Sequence, residues 1–291
     1  MPKRQATHEP TDESRGDALY RDPDLARFYD LANAWSPEFA TCEALAKNAT
    51  SVLDLGCGTG QLAARLAAVG GEGAIGPKAA GERRVVGADP AAAMLEIARR
   101  RAGGERVTWV QADARTLRLD RRFDLVVMTG HAFQVFLADE DQRQVLATVA
   151  AHLAANGRFV FDSRNPAAKA WREWRPKRSK HWVEHPKLGA VQAWNDAEYD
   201  KATKIVTYET HYQVLASGQT FSATARIRFT RKKTLAAMLA DAGLAVDDWL
   251  GTWAGEPWSA ASPEIIPLGR LAAPPAAARA KAPKKSRKRA R

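Results

Sequence analysis

Three glycines in five positions break an apolar run at Ser51 to Gln61, SVLDLGCGTGQ, and a single acid, Asp54, stands just ahead of them. A glycine-rich turn between a strand and a helix lets a ligand approach the backbone closely and face the helix N-terminus. Phosphate is the usual occupant of such turns, and two phosphate patterns can be tested on the spacing. A P-loop needs Lys and then Ser or Thr in a fixed register, which neither Gly56 nor Gly58 provides. The dinucleotide fingerprint G-x-G-x-x-G fits Gly56 and Gly58 but meets Gln61 at its last position. The charge of Asp54 would also oppose a pyrophosphate. A carboxylate there suits a cationic or amino-bearing ligand.

The elements around the turn have a clear rhythm. SVLDL predicts a strand and Gln61 to Val69 a helix; RVVGA predicts a strand and Ala91 to Arg101 a helix. RVTWV, FDLVVM and GRFVFD predict three more strands, with a helix from Glu140 to Leu153. Continuous apolar strands separated by helices imply a parallel sheet covered on both faces, with ligands beyond the strands' carboxyl ends. After Asp162 the pattern changes. AVQAWNDAEYD, KIVTYETHYQVL and QTFSATARIRFT alternate and are joined by polar turns, which predicts three antiparallel strands. A helix from Arg231 to Ala242, stopped by Gly243, and strands near Leu244–Trp253 and Glu264–Leu271 resume the first rhythm. Ahead of it all, Asp24 to Asn48 predicts two short helices, with Pro37 starting the second.

The reading is a doubly wound, mostly parallel seven-stranded α/β domain over 21–163 and 231–272, with a small antiparallel sheet inserted at 164–230. Residues 1–20 are expected to be a flexible lead and 70–82 a mobile loop. The tail, 273–291, is expected to be disordered. It carries eight of the 44 basic residues and no acid, so 1–272 hold 36 basic against 33 acidic residues, or +3 of the total +11. The basic character therefore belongs to the tail, which is either a solvated end or a weak, nonspecific nucleic-acid contact. No apolar run approaches the roughly 20 residues of a membrane span. Cys42 and Cys57 form no disulfide framework or metal-ligand spacing. A reduced, cytoplasmic monomer or homodimer without a membrane partner is expected.

VLDLGCGTG resembles motif I of the class I S-adenosylmethionine-dependent methyltransferases, and further segments match in order: VVGADP, VQADA, FDLVVMTG, GRFVFDSRNP, RKKTLAAMLADAGL and SPEIIPLGRL. The resemblance spans about residues 24–272 and implies S-adenosylmethionine as cofactor. It implies that Gly56, Cys57, Gly58 and Gly60 face the cofactor's amino-acid part, with Asp54 in support. Asp89, followed by Pro90, would accept from the ribose hydroxyls, and Asp113 with Ala114 would read the adenine. Met94 would lie on the adenine face and Thr129 at the end of the fourth strand. Taken singly, each has a plainer reading: Asp89 begins a helix, Asp113 caps a turn, Met94 fills the core and Cys57 fills the turn.

The residues after the fourth strand, TGHAFQVF, lack the Asn/Asp-Pro-Pro-Tyr/Phe signature of base-amino methylation and a Pro-Cys pair. No acid cluster at strand ends suggests a magnesium site. His131 remains, and an imidazole with an ordinary pKa of ~6.5 suits proton removal at neutral pH; the alternative is a packed or orienting histidine. The resemblance to small-molecule enzymes with an inserted sheet, such as aminosugar N-methyltransferases, places Tyr29 of FYD over the site beside His131. Arg164, Trp171 and Trp174, among the insert's tryptophans and arginines, are expected to meet the acceptor, or else to pack the insert itself. The implied activity is methyl transfer to N or O of a small molecule. RNA or protein methylation anchored by the tail, or cofactor binding without catalysis, are the alternatives.

Overall fold

The computed structural model describes residues 18–33, 36–69 and 83–273. The expected 70–82 loop, nearly all of the expected N-terminal lead and the basic tail beyond residue 273 lie outside the described residues.

Four short helices come first: α1 (Ala18–Arg21), α2 (Pro23–Ala26), α3 (Tyr29–Ala32) and α4 (Pro37–Ala46). The sequence predicts two helices from Asp24 onward, whereas the folded chain starts earlier, with Leu19 already buried. Asp22 caps α2 by accepting from the Asp24 N–H at 2.8 Å, and Pro23 opens the helix where its missing N–H costs nothing. The α/β part follows as β1 (Ser51–Leu55), α5 (Gln61–Val69), β2 (Arg84–Asp89), α6 (Ala92–Arg100), β3 (Val107–Gln111), β4 (Phe123–Met128), α7 (Asp139–His152) and β5 (Leu153–Phe161).

The main sheet has the order β3-β2-β1-β4-β5-β12-β11, where β11 is Leu244–Leu250 and β12 is Glu264–Leu271. The first five strands are parallel, and β12 runs antiparallel to both its neighbours. A two-residue strand, β6 (Ser163–Arg164), adds to β12 and makes an eighth where seven are expected. Every residue of β1 is buried. Its alternate residues enter two cores: Leu53 and Leu55 join Val126 and Met128 on one face, and Val52 joins Leu125 and Val127 on the other. The strand order reverses between β1 and β4, so the carboxyl ends of β1, β2, β3 and β4 open onto a common crevice.

One packing detail explains two glycines. The Trp109 indole lies between Gly60 and Gly87, where a Cβ would come within 2.4 Å and 2.5 Å of its ring atoms. Its Nε1 donates to the Gly104 carbonyl at 2.9 Å.

A short helix, α8 (Pro176–Ser179), leads into the second sheet. There, β7 (His181–His185), β8 (Gly189–Tyr199), β9 (Ile205–Val214) and β10 (Thr220–Arg228) form an antiparallel sheet in the order β10-β9-β8-β7. The short β7 goes beyond the three strands that alternation predicts. Helix α9 (Lys232–Asp241) then returns the chain to the main sheet. The N-terminal helices join the two parts. Leu19, Leu25 and Phe28 pack with Val191, Tyr212 and Ala225 of the second sheet, and Phe28 stacks on Tyr212 at 4.6 Å between ring centroids. Ala26 meets Ala91 and Met94 of the α/β part.

Candidate active site

A cavity of about 830 Å³ runs from the β1–α5 turn to the second sheet. At its floor, Gly56, Gly58 and Gly60 have φ of +77°, +52° and +74°, a left-handed backbone that favours glycine. The Gly56 and Cys57 N–H groups donate to the Ala88 carbonyl at 2.8 and 3.1 Å, and the Gly58 N–H donates to Asp89 Oδ2 at 2.9 Å. These bonds fold the turn over the end of β2. Gly56, Cys57 and Gly58 line the cavity. Gly60, expected at the cofactor, is not on that wall; its side makes room for Trp109. Burial raises the Cys57 thiol well above its ordinary range, as befits a filler of the turn and not a nucleophile.

Asp54 is 1% exposed, and its Oδ1 has no hydrogen-bond partner among the described residues. Burial, with Asp89 adding to it, pushes its carboxyl up to about 7. An orphaned carboxylate oxygen on the cavity wall fits a ligand that brings positive charge or N–H groups. S-adenosylmethionine carries both an ammonium and a sulfonium, so the donor set suits it.

Asp89 accepts from the Ala91 N–H through Oδ1 at 2.8 Å as well as from Gly58 through Oδ2. Each carboxylate oxygen has a second lone pair, so these bonds orient the acid and still leave it able to receive ribose hydroxyls. The helix-starting reading of Asp89 and its reading as a ligand residue are therefore compatible. Pro90 and Met94 line the same wall, and Met94 is 1% exposed. At the end of β3, Asp113 and Ala114 line the cavity too. Here the sequence reading overlooked Arg115. Its guanidinium holds Asp113 Oδ2 at 2.7 Å and Asp141 Oδ1 at 3.0 Å. Burial would raise the Asp113 carboxyl, but the Arg115 hydrogen bonds outweigh it and hold the group below the usual carboxylate range.

The opposite wall comes from α3. Tyr29 reaches both glycine positions: a Cβ on Gly58 would lie 3.7 Å from its ring, and one on Gly130 would lie 3.6 Å from its hydroxyl. Burial keeps the phenol protonated across the neutral range, so Tyr29 is a hydrogen-bond donor there, not a base. The next residue, Asp30, accepts from Thr59 Oγ1 at 2.5 Å and Gln61 Nε2 at 2.9 Å, and it pairs with Arg101. Gln61, which breaks the dinucleotide pattern, thus ties the N-terminal segment to the turn.

After β4, the 9% exposed Thr129 and His131 line the cavity. His131 has φ +61°, and its N–H donates to Asp162 Oδ1 at 2.9 Å. Its Nε2 lies 3.0 Å from Glu264 Oε1 and 3.5 Å from Asp162 Oδ2. Glu38 of α4 lines the cavity as well; burial and then Asp162 push its carboxyl up to about 7. Three acids from α4, the end of β5 and β12 thus face one histidine. Nothing in their spacing along the chain announces this, because more than 200 residues separate the outer two. Among the described residues no group of three or more His, Cys, Asp or Glu is arranged to hold a metal ion.

The second sheet supplies the roof. Arg164 lines the cavity, its Nη1 donating to Gln134 Oε1 at 3.1 Å and its guanidinium 4.9 Å from the Trp174 ring centroid. Trp174 lines the cavity, but Trp171 does not. The expectation of an acceptor contact for Trp171 is corrected: it is 8% exposed and packs on Tyr199 and Phe229, with centroids at 4.2 and 4.9 Å. Trp194 lines the wall and Trp182 is exposed.

Residues 52–157 match the family described as a methyltransferase domain. The chain is 28% identical over 220 residues to the cypemycin N-terminal methyltransferase of a Streptomyces species, covering 74% of this chain and 81% of that protein. Among solved structures, the CcbJ methyltransferase from Streptomyces caelestis superposes with a TM-score of 0.67 at 21% identity, over 90% of this chain and all of that one. The sugar N-methyltransferase KedS8 from a Streptoalloteichus species gives a TM-score of 0.67 at 20% identity, over 93% of this chain and all of that one. At these identities the structural likenesses speak for the fold, and the residues of the domain match include the turn, Asp89, Asp113 and His131.

Proposed function

The chain belongs to the class I S-adenosylmethionine-dependent methyltransferases, and from that premise we propose that it methylates an amine nitrogen of a small molecule. Bound in the cavity, S-adenosylmethionine supplies an electrophilic methyl group. Asp54, Asp89 and Asp113 would hold its charged, ribose and adenine parts, with Gly56 and Gly58 allowing close approach.

The observation that carries nitrogen over oxygen is the set of acids at the acceptor end. Glu38 on the wall, with Asp162 and Glu264 behind His131, makes this region favourable to a group that arrives positively charged. An alcohol gains nothing from such a field. The cypemycin enzyme, named for action at an N-terminus, supports the same choice. A free amine needs little acid–base help in methyl transfer, so holding it in line and excluding water would supply most of the rate. Tyr29 and the four-stranded sheet would close the cavity, Arg164 and Trp174 would hold the body of the acceptor, and His131 would take the proton the nitrogen releases.

The test is to incubate the protein with methyl-labelled S-adenosylmethionine and a fractionated extract, in parallel with the same fractions after their amines have been acetylated. Label should enter a small-molecule fraction and vanish on acetylation. Label that persists after acetylation would mean an oxygen acceptor, and label in macromolecular fractions would replace the small-molecule reading.

A further inference from the structure

His131 has two ring nitrogens, and their surroundings differ sharply. Nε2 faces two carboxylate oxygens, Glu264 Oε1 at 3.0 Å and Asp162 Oδ2 at 3.5 Å. Nδ1 makes no hydrogen bond to the described residues, and it is not among the side-chain atoms that are buried without a partner. It is therefore accessible, in a residue that lines the cavity.

We infer that Glu264 is a positioning residue, which holds His131 with its proton on Nε2 and so makes Nδ1 the atom that accepts a proton from the substrate. A neutral imidazole carries one N–H, and the other nitrogen is its acceptor. A proton on Nε2 is donated to Glu264 Oε1, with Asp162 Oδ2 close by at 3.5 Å. His131 is anchored at its main chain. Its backbone is fixed in the left-handed region by the Asp162 Oδ1 bond, and Asp162 is itself 0% exposed and held by Trp253 Nε1 at 3.4 Å. Glu264 is placed by register: it pairs with Arg164 across β12 and β6, so the last strand of the sheet braces the loop after the fourth. The groups around the ring are then Glu264 from β12, Asp162 from the end of β5, and Glu38 and Arg164 on the neighbouring walls.

The proton balance is simple. The acceptor nitrogen gives up one proton to Nδ1, the imidazole becomes an imidazolium with N–H on both nitrogens, and the added charge sits between Glu264 and Asp162. Solvent removes the proton from Nδ1 afterwards. Orientation of a basic imidazole by a carboxylate on its other nitrogen is a general device. This inference rests on the reading of His131 as the proton acceptor, but its central claim can be read without any acceptor.

The experiment is nitrogen-15 NMR of the full chain labelled in its six histidines, at pH 8, with His131 assigned by its loss in His131→Gln. The wild-type ring should show a protonated Nε2 and a bare Nδ1. Glu264→Gln, whose carboxamide can donate as well as accept, should lose that pattern and gain the Nδ1–H form. A wild-type ring with less than half of its population as Nε2–H overturns the inference, and so does a folded Glu264→Gln protein with an unchanged pattern. If Glu264→Gln does not fold, the wild-type spectrum still decides. Activity separates the two claims. A His131→Ala enzyme with undiminished turnover would end the base role while leaving the tautomer result intact.

Discussion

The carboxylate of Asp30, on the third helix, accepts a hydrogen bond from the Thr59 hydroxyl at 2.5 Å, and so the N-terminal segment is bonded directly to the turn that forms the cavity floor. The same acid takes Gln61 Nε2 and pairs with Arg101, whose Nε donates to the Thr59 carbonyl at 2.9 Å. Asp30→Ala removes the common acceptor of all three groups. We expect a loss of roughly 1–3 kcal/mol in stability by urea unfolding, the scale of a few partly exposed charge-assisted bonds. S-adenosylmethionine affinity should fall as well, since Tyr29 loses its anchor. Calorimetry with unchanged affinity would show that the segment does not contribute to the site.

Asp89→Ala takes away the acid that orients Gly58 and the start of α6. Affinity for S-adenosylmethionine should weaken by roughly 1.5–3 kcal/mol, the scale of hydrogen bonds to a charged group. An isothermal titration with wild-type affinity would remove Asp89 from the binding surface.

Asp54 makes the ligand-free protein sensitive to pH in an unusual direction. Its folded carboxyl stands at about 7, above the unfolded value near ~3.9, so the folded state favours the proton. The contribution is most favourable below the unfolded value and is lost as pH rises through the folded one. Asp54→Asn should therefore stabilise the ligand-free protein by an amount that grows between about pH 4 and 7 and reaches on the order of a few kcal/mol. The same change should weaken cofactor binding. Melting curves at pH 5 and pH 8 with equal differences between wild type and variant would refute the assignment.

Asp113 has the opposite sign. Arg115 holds its folded value below the unfolded one, so its stabilising contribution is present above the unfolded value and fades as pH falls through the folded value. Arg115→Ala leaves Asp113 and Asp141 without their shared cation. With a partly exposed pair the loss should be small, about 0.5–1.5 kcal/mol near neutral pH, and should shrink below about pH 4. Thermal unfolding across that range checks both the size and the direction.

The sequence reveals what local pattern encodes. The β1 strand, its turn and Gln61–Val69 are legible because a fully buried strand must be apolar and a left-handed turn favours glycine. Asp89 and Asp113 are legible as the acids at the ends of their strands. What is not legible is convergence. Glu38, Asp162 and Glu264 meet at His131 only because β12 inserts beside β5 and α4 packs beneath them, and no short-range spacing records that. Trp171 and Trp174 illustrate the same limit: three positions apart in one segment, one packs on Tyr199 and the other faces the cavity, according to the neighbours each meets. Gly60 misleads for a related reason, since its place in a ligand-binding motif hides a demand made by a distant indole.

That indole has an evolutionary consequence. Trp109 occupies the space that a side chain at either 60 or 87 would need, within 2.4 and 2.5 Å. Gly87 has no left-handed backbone to protect it, so its smallness is owed first to Trp109 and then to Cys57 Sγ, 3.1 Å from where a Cβ would lie, whereas Gly60 is also constrained by its φ of +74°. In a lineage descending from this chain, alanine at 87 becomes admissible only after 109 has shrunk, and glycine at 60 outlasts both. The contact sets an order in which these three positions can drift.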